Sequence, residues 1–472
     1  KEDPPPPPKN FFFHFISQPR QLIMTQDALV IICGLLALMY LGIYSLHYFQ
    51  DVPDLYLQEQ SIREPTRLTN ESPIYHSNKS SNLRVGLDIR YDSYKLRSGN
   101  LNDIWEIAIQ FAKKTDRGIN IDNNLITIGY INYCIENLQL GSHKVISIPK
   151  DYKIDSKWLV VLFVGFVKQL TVEFYIDKPI ADDAIDISKI SLPSPPQGSY
   201  KFINNYTPEK DRGIAIRLHN QISQGIKSIV DFTQLNIVSG VASTIKHLPN
   251  SDTYRNSKMV IVSNNSTNED ITNLIVKLLT GLILNCNITI CDKFSEVDSN
   301  AAIISVPELK LPFVSNKSDT ITERLQRYLL TKSVFPFRGT KKLIYISTSI
   351  NKKSALSLYD LNTIRIQHQA RVVKELCYYN IVGPIILTDY YDYRQFNIKV
   401  NKVGCIAQSL EIKLINLQDE WGNLLVRGYT IGKTLNVVND QQEKLQPKDD
   451  DGFMPISIVK GKWGNDGCLY VL

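Results

Sequence analysis

Residues 28–49 read ALVIICGLLALMYLGIYSLHYF, an apolar run with no Asp, Glu, Lys or Arg. About 20 such residues cross the hydrocarbon core of a bilayer as a helix, so this run must lie in a membrane or wholly inside a protein core. Most core helices carry a polar stripe, and this run has none. A signal peptide would be shorter, start earlier and end in small residues. Tyr40, Tyr44, Tyr48 and Phe49 gather toward one end, where an aromatic belt sits. The run therefore reads as a single transmembrane anchor.

The flanks orient it weakly. Lys9 and Arg20 precede the run; Asp51, Asp54, Glu59, Arg63 and Glu64 follow it. Counting positive residues favours a cytosolic N terminus and a lumenal body. The sequons at Asn78 and Asn205 permit that side. Residues 4–8 are consecutive prolines, a stiff extended tail. The chain opens at Lys1, so a short segment is expected ahead of it.

A net charge of +6 is spread along 472 residues, with no Lys/Arg run interleaved with aromatics, and nucleic-acid binding is not expected. The seven cysteines (Cys33, Cys134, Cys286, Cys291, Cys377, Cys405 and Cys468) are scattered and show no CxxC spacing. They read as reduced, buried thiols, with neither a zinc site nor a disulfide framework.

From about residue 100 short apolar runs suit strands buried on both faces: 159–167, 259–262, 301–306, 343–346 and 385–387. Helical spacing appears between them, most clearly at Ile271, Leu274, Ile275, Leu278 and Leu282. Such alternation predicts a mainly parallel sheet with crossover helices. Residues 439–451 are polar and read as a surface loop.

Residues 213–243, GIAIRLHNQISQGIKSIVDFTQLNIVSGVAS, resemble the phosphate-loop region of the adenylate-forming (AMP-binding) superfamily, in particular its long-chain fatty acyl-CoA synthetases. In that pattern a strand leads into a Thr/Ser/Gly-rich loop ending TG-x-PKG, and a V-x-x-TH-x-N stretch opens a helix. Ala215 and Ile216 fall in the strand and Ser223 and Gly225 in the loop. Val230, Thr233, Asn236 and the run at 239–242 match the helix. Val306-Pro307 resembles the VP of long-chain members. LIYISTSI at 343–350 resembles the strand ahead of a GGAPLS-like loop, without its glycines. IILTD at 385–389 falls where the family has YGxTE, keeping Thr388 and placing Asp389 at the Glu that helps hold Mg²⁺. Residues 402–433 match VG-x-PLPG-x-E-x-K-L-x-D and GELLVRGP at Val403, Gly404, Glu411, Lys413, Gly422, Leu425, Arg427 and Gly428. Asp451-Gly452-Phe453 resembles DGW, and residues 466–470 resemble DGYLY.

The departures concern chemistry. A phosphate loop needs glycines that let N–H groups close on the phosphates, together with a Lys for charge. Here the loop opens Asn220-Gln221-Ile222, the Lys position holds Ser228, its following Gly is Ile229, and Lys227 stands one residue early. The ribose-gripping Asp is Ile458. After Leu472 the resemblance implies a hinge and a small C-terminal domain of roughly a hundred residues, so the chain is expected to lack it.

The expected fold is an α/β acyl-CoA synthetase-like N-terminal domain behind one transmembrane helix. The expected segments are a Pro-rich tail (1–27), the anchor (28–49), a linker (50–99), an AMP-binding-like body (100–400) and a β-rich subdomain (401–472). The resemblance and its departures together imply a catalytically inactive pseudoenzyme. Its expected role is a lipid-binding or scaffold module at a membrane, taken to be the endoplasmic reticulum. Its expected partners are a fatty acyl ligand and an active acyl-CoA synthetase or another membrane protein. The degenerate loop is Ser223, Gly225, Lys227 and Ser228, and the nucleotide/Mg²⁺ remnants are Thr388 and Asp389. No cofactor or resident metal is expected. The alternative is an active long-chain fatty acid–CoA ligase using ATP, Mg²⁺ and CoA. Hydrolase signatures such as GxSxG and HExxH are missing from the sequence.

Overall fold

The computed structural model describes residues 26–65, 68–80, 83–90, 96–193, 198–204, 213–223, 226–312, 320–337, 339–352, 354, 356–395, 401–438, 441–445 and 448–471. The proline tail, the Asn205 sequon and Gly225 lie outside them, as do the side chains of Ser223, Ile222 and Ile458. Residues up to 50 form one unit, and residues 51–472 form a second.

The first unit carries α1 (Gln26–Tyr48), whose apolar side chains are exposed. Its stretch Leu29–Tyr48 has a mean hydropathy of 2.4. At 1.5 Å per residue a helix of this size spans about 34 Å, enough for a hydrocarbon core of about 30 Å.

In the second unit, six parallel strands form the centre of the main sheet: Arg371–Cys377, Leu343–Ser349, Ile303–Pro307, Lys258–Val262, Asn287–Cys291 and Gly118–Ile121, in that spatial order. Their near-continuous apolar character follows from helices packed on their faces. Pro384–Leu387 then pairs antiparallel with Arg371–Cys377, and Asn401–Ile406 with Pro384–Leu387. This carries the sheet into the β-rich strands Leu410–Gln418, Trp421–Gly428, Met454–Trp463 and Leu469–Val471. Gly404 makes the junction possible. Its φ is +126°, and a Cβ there would stand 2.2 Å from the Leu387 carbonyl oxygen. A second sheet runs, in spatial order, Gln441–Leu445, Lys433–Val438, Ile226–Thr233, Ile214–Ser223, Thr171–Tyr175, Val145–Pro149 and Ile185–Asp186.

The helices of this unit are α2 (Leu101–Ala112), α3 (Ile128–Asn137), α4 (Ser156–Lys168), α5 (Gln234–His247), α6 (Asn268–Ile283), α7 (Ile321–Thr331) and α8 (Leu358–His368). The expected α6 periodicity and the strands at 259–262, 301–306, 343–346 and 385–387 are present. Residues 159–167 are a correction: they form most of α4. Asp155 caps α4 by accepting from the Trp158 N–H at 2.8 Å. Every residue from Trp158 to Val167 is buried, and an all-round buried helix has no polar stripe to set it apart from a buried strand. Residues 439–451 are the other correction, since Gln441–Leu445 is a strand paired with Lys433–Val438.

Between α6 and the central sheet, Lys277 pairs with Glu375 at essentially zero exposure. The ammonium also lies 3.6 Å from the Tyr345 ring centroid, and Asn273 donates to the carboxylate at 3.4 Å. The six cysteines of the body are buried, and burial raises each thiol above its usual range.

Removing one member of a buried ion pair strands the other charge, at a cost of about 3–5 kcal/mol, whereas replacing both with apolar side chains is often neutral. Lys277→Met is therefore expected to lower the thermal unfolding midpoint of the detergent-solubilised chain sharply. The double variant Lys277→Met/Glu375→Leu is expected to recover most of that loss.

Candidate functional site

The segment resembling a phosphate loop is a β-hairpin. Ile214–Ser223 pairs antiparallel with Ile226–Thr233, with Asn220 opposite Ser228, Gln221 opposite Lys227 and Ser223 opposite Ile226. Ile226–Thr233 is also bonded along its other edge, Ile226 through Asp231 pairing with residues 438 down to 433. Its backbone groups are thus committed to two ladders, where a phosphate cradle would need free N–H groups. Lys227 directs its ammonium to Asp177, 2.5 Å away, and Ser228 is fully buried. Thr233 then caps α5. It accepts from the Asn236 N–H at 3.2 Å, and the Asn236 side chain accepts from the Thr233 N–H at 2.8 Å, a reciprocal cap. The expected strand–loop–helix is therefore strand–hairpin–strand–helix.

Thr388 and Asp389 follow the Pro384–Leu387 strand. Thr388 accepts from the Lys374 N–H at 2.9 Å and donates its own N–H to the Lys374 carbonyl, also at 2.9 Å, locking two strands together. Asp389 is buried and its oxygens are occupied. The Tyr56 hydroxyl donates to Oδ2 at 3.1 Å, the Lys79 ammonium lies 3.1 Å from the same oxygen, and the Tyr391 N–H donates to Oδ1 at 2.9 Å. A divalent cation at this carboxylate would meet an ammonium already in place. Lys79 also donates to the His247 carbonyl at 3.3 Å. Beside it a small cavity of about 10 Å³ is lined by His247, Tyr345 and Glu375 among others, about the size of one water. Burial, then the charges of Lys79 and Lys277, hold His247 well below its usual range, so it is neutral.

A second carboxylate cluster, Asp392 and Asp466 with Cys468, has the spacing of metal ligands. The Lys402 ammonium stands between its two carboxylates, 2.6 Å from Asp392 and 2.7 Å from Asp466. Arg394 adds a bond to Asp392 at 2.9 Å. Burial would raise Asp392, but the Arg394 hydrogen bond and the Lys402 charge outweigh it and hold the carboxyl well below the usual range. The cluster carries its own cations and does not suit a metal.

In open parallel α/β sheets ligands bind beyond the carboxyl ends of the strands. Here the carboxyl ends of Ile303–Pro307, Leu343–Ser349 and Arg371–Cys377, with the start of α6, enclose a cavity of about 160 Å³. Glu269, Asp270 and Glu308 line it, with Ser349 and Lys352. Ser349 donates to Glu269 at 2.7 Å, Thr267 to Asp270 at 2.7 Å and Ser354 to Glu308 at 2.9 Å. Burial raises Asp270. Burial lowers Lys150 to about 8, against the opposing pull of Glu269 and Asp270. Three acids around a small cavity form an environment for cationic or neutral polar groups and oppose a polyphosphate. Sequence reasoning passed over this cluster. Thr267-x-x-Asp270 is a legible helix cap, but the partners Lys150, Glu308 and Ser349 are brought together only by the fold.

Between about pH 8 and pH 10.4, the unfolded lysine value, the unfolded chain holds the Lys150 proton and the folded chain does not. Wild type is therefore expected to gain thermal stability relative to Lys150→Met as pH rises through this window. Parallel melting curves of the two proteins at stepped pH measure the difference.

No protein-family model matches the chain. An uncharacterised protein of Saccharomyces cerevisiae is 24% identical over 557 aligned positions, covering 96% of this chain and 98% of that protein. Among solved structures, o-succinylbenzoate coenzyme A synthetase of Bacillus subtilis in complex with AMP overlays with a TM-score of 0.53 at 13% identity, covering 78% of each chain. VinN in complex with L-aspartate gives 0.51 at 12%, covering 83% of this chain and 99% of the other. The luciferase-like enzyme of the nonluminescent mealworm Zophobas morio gives 0.50 at 10%, covering 83% and 98%. At these identities the likeness is one of fold, and the body of this chain has the α/β fold of adenylate-forming enzymes.

Proposed function

We propose that this chain is a membrane-anchored protein of adenylate-forming fold that has given up acyl activation and serves as a scaffold or regulatory module. The observation that carries the reading is the Ile226–Thr233 strand, bonded on both edges where phosphate-binding N–H groups would be required. Three further features support it. Lys227 is engaged by Asp177. Asp389 is engaged by Lys79 and Tyr56. A cavity of about 160 Å³ at the carboxyl edge of the sheet is lined by three acids, Glu269, Asp270 and Glu308. A carboxylate attacking the α-phosphate of ATP needs neutralised phosphates and an aligned nucleophile, and loss of one such donor typically costs on the order of 10²–10³ in rate. Support for the anchor is the length and composition of α1. A partner in the same membrane, such as an active acyl-CoA synthetase, belongs to the proposal.

The purified full chain is expected to show no saturable ATP binding up to millimolar concentration, a range in which typical enzymes reach half-saturation. It is also expected to release no pyrophosphate on addition of long-chain fatty acid, ATP and Mg²⁺. Fatty-acid-dependent pyrophosphate release that disappears in Asp389→Ala would establish the ligase alternative. Alkaline carbonate is expected to leave the chain in the membrane pellet; its release as an intact soluble protein would remove the anchor.

A further inference from the structure

Helix α7 (Ile321–Thr331) turns an apolar stripe away from the body. Thr320 and Glu323 close its N terminus with a reciprocal cap: Thr320 Oγ1 accepts from the Glu323 N–H at 3.2 Å, and Glu323 Oε2 accepts from the Thr320 N–H at 2.8 Å. Leu330 holds its inner side, fully buried with Phe335, Ile366 and Tyr393. Arg327 stacks over the Tyr359 ring of α8, 3.8 Å from its centroid. Ile321, Leu325 and Tyr328 follow one another at i, i+4 and i+7, and are 86%, 59% and 49% exposed. Leu330 lies about two and a half turns beyond Ile321, on the opposite side of the helix. The exposed basic residues Arg324 and Lys332 flank the stripe.

The place of this helix in the chain gives the stripe an occupant. Its C-terminal end continues to Ser333, whose carbonyl accepts from the Asp51 N–H at 3.1 Å. The Asp51 carboxylate in turn accepts from Arg371 and from Tyr393, each at 2.9 Å. Asp51 comes three residues after Tyr48, the last residue of the apolar span. Three residues reach about 10 Å at full extension, and each headgroup layer is about 5–8 Å deep. Chain length alone therefore keeps the end of α7 close to the bilayer surface if α1 spans it. Leu55, four residues past Asp51, adds a side chain that is 68% exposed.

We infer that the Ile321/Leu325/Tyr328 face of α7, with Leu55, is a second membrane contact, seated in the headgroup layer beside the anchor and favoured by anionic phospholipid. It rests on the anchor reading above. An apolar helix face with basic flanks lies in the plane of the interface, its apolar side in the boundary between headgroups and acyl chains.

The test uses the full chain with Cys33→Ser, which removes the exposed thiol and leaves buried ones. Leu325→Cys carries an environment-sensitive dye, and the chain is reconstituted in phosphatidylcholine nanodiscs with or without phosphatidylserine. The control dye is at Leu125→Cys, which is equally exposed but lies on a strand six places along the sheet from Arg371–Cys377, about 29 Å at 4.8 Å per strand. Headgroup-nitroxide lipid is expected to quench the dye at 325 several-fold more than at 125, and more strongly with phosphatidylserine. Ile321→Ser/Tyr328→Ser is expected to bring the two sites level. Equal quenching at both sites in carbonate-resistant protein overturns the contact and leaves the anchor standing. A dye shift that persists in detergent and grows with protein concentration assigns the face to a second copy and also overturns it. A chain released by carbonate removes the anchor reading and the contact with it.

Discussion

A backbone N–H in the interior of a sheet must be paired, and a strand paired on both sides has nothing left to offer a ligand. The Ile226–Thr233 strand is in that position. Its two ladders join the hairpin to the C-terminal Lys433–Val438 strand, and α5 follows directly from its reciprocal cap at Thr233. The same bonds hold the second sheet together and tie up the backbone groups of this strand.

The charges tell a parallel story. Buried and half-buried carboxylates near the sheet ends have a cation or hydroxyl beside them: Asp389 with Lys79 and Tyr56, Asp392 and Asp466 with Lys402, Asp270 with Thr267. Buried charge is tolerable only when paired. Here Lys79 and Lys402 are matched to acids of this chain.

The sequence disclosed the parallel strands because short apolar runs between helical periods have few other solutions. The β-rich stretch at 402–433 was legible for another reason: Gly404 and Gly428 adopt φ of +126° and +152°, backbone conformations that leave a durable mark in sequence. The α4 run was misread because burial on all sides erases periodicity. The hairpin is not legible in the sequence because its polar residues suit a loop as well as two paired strands. Lys79 with Asp389, and Lys150 with the acids of α6, were beyond reach: their partners lie more than a hundred residues away, and nothing local in either lysine announces the pairing.

The cysteines bear on which compartment the body can occupy. A thiol reacts as thiolate, and burial that raises its pKa suppresses both the reactive form and access to it. All six body cysteines are in this state. Burial therefore shields the six thiols of the folded body from reagents in solution. They become available to either environment only when the core opens.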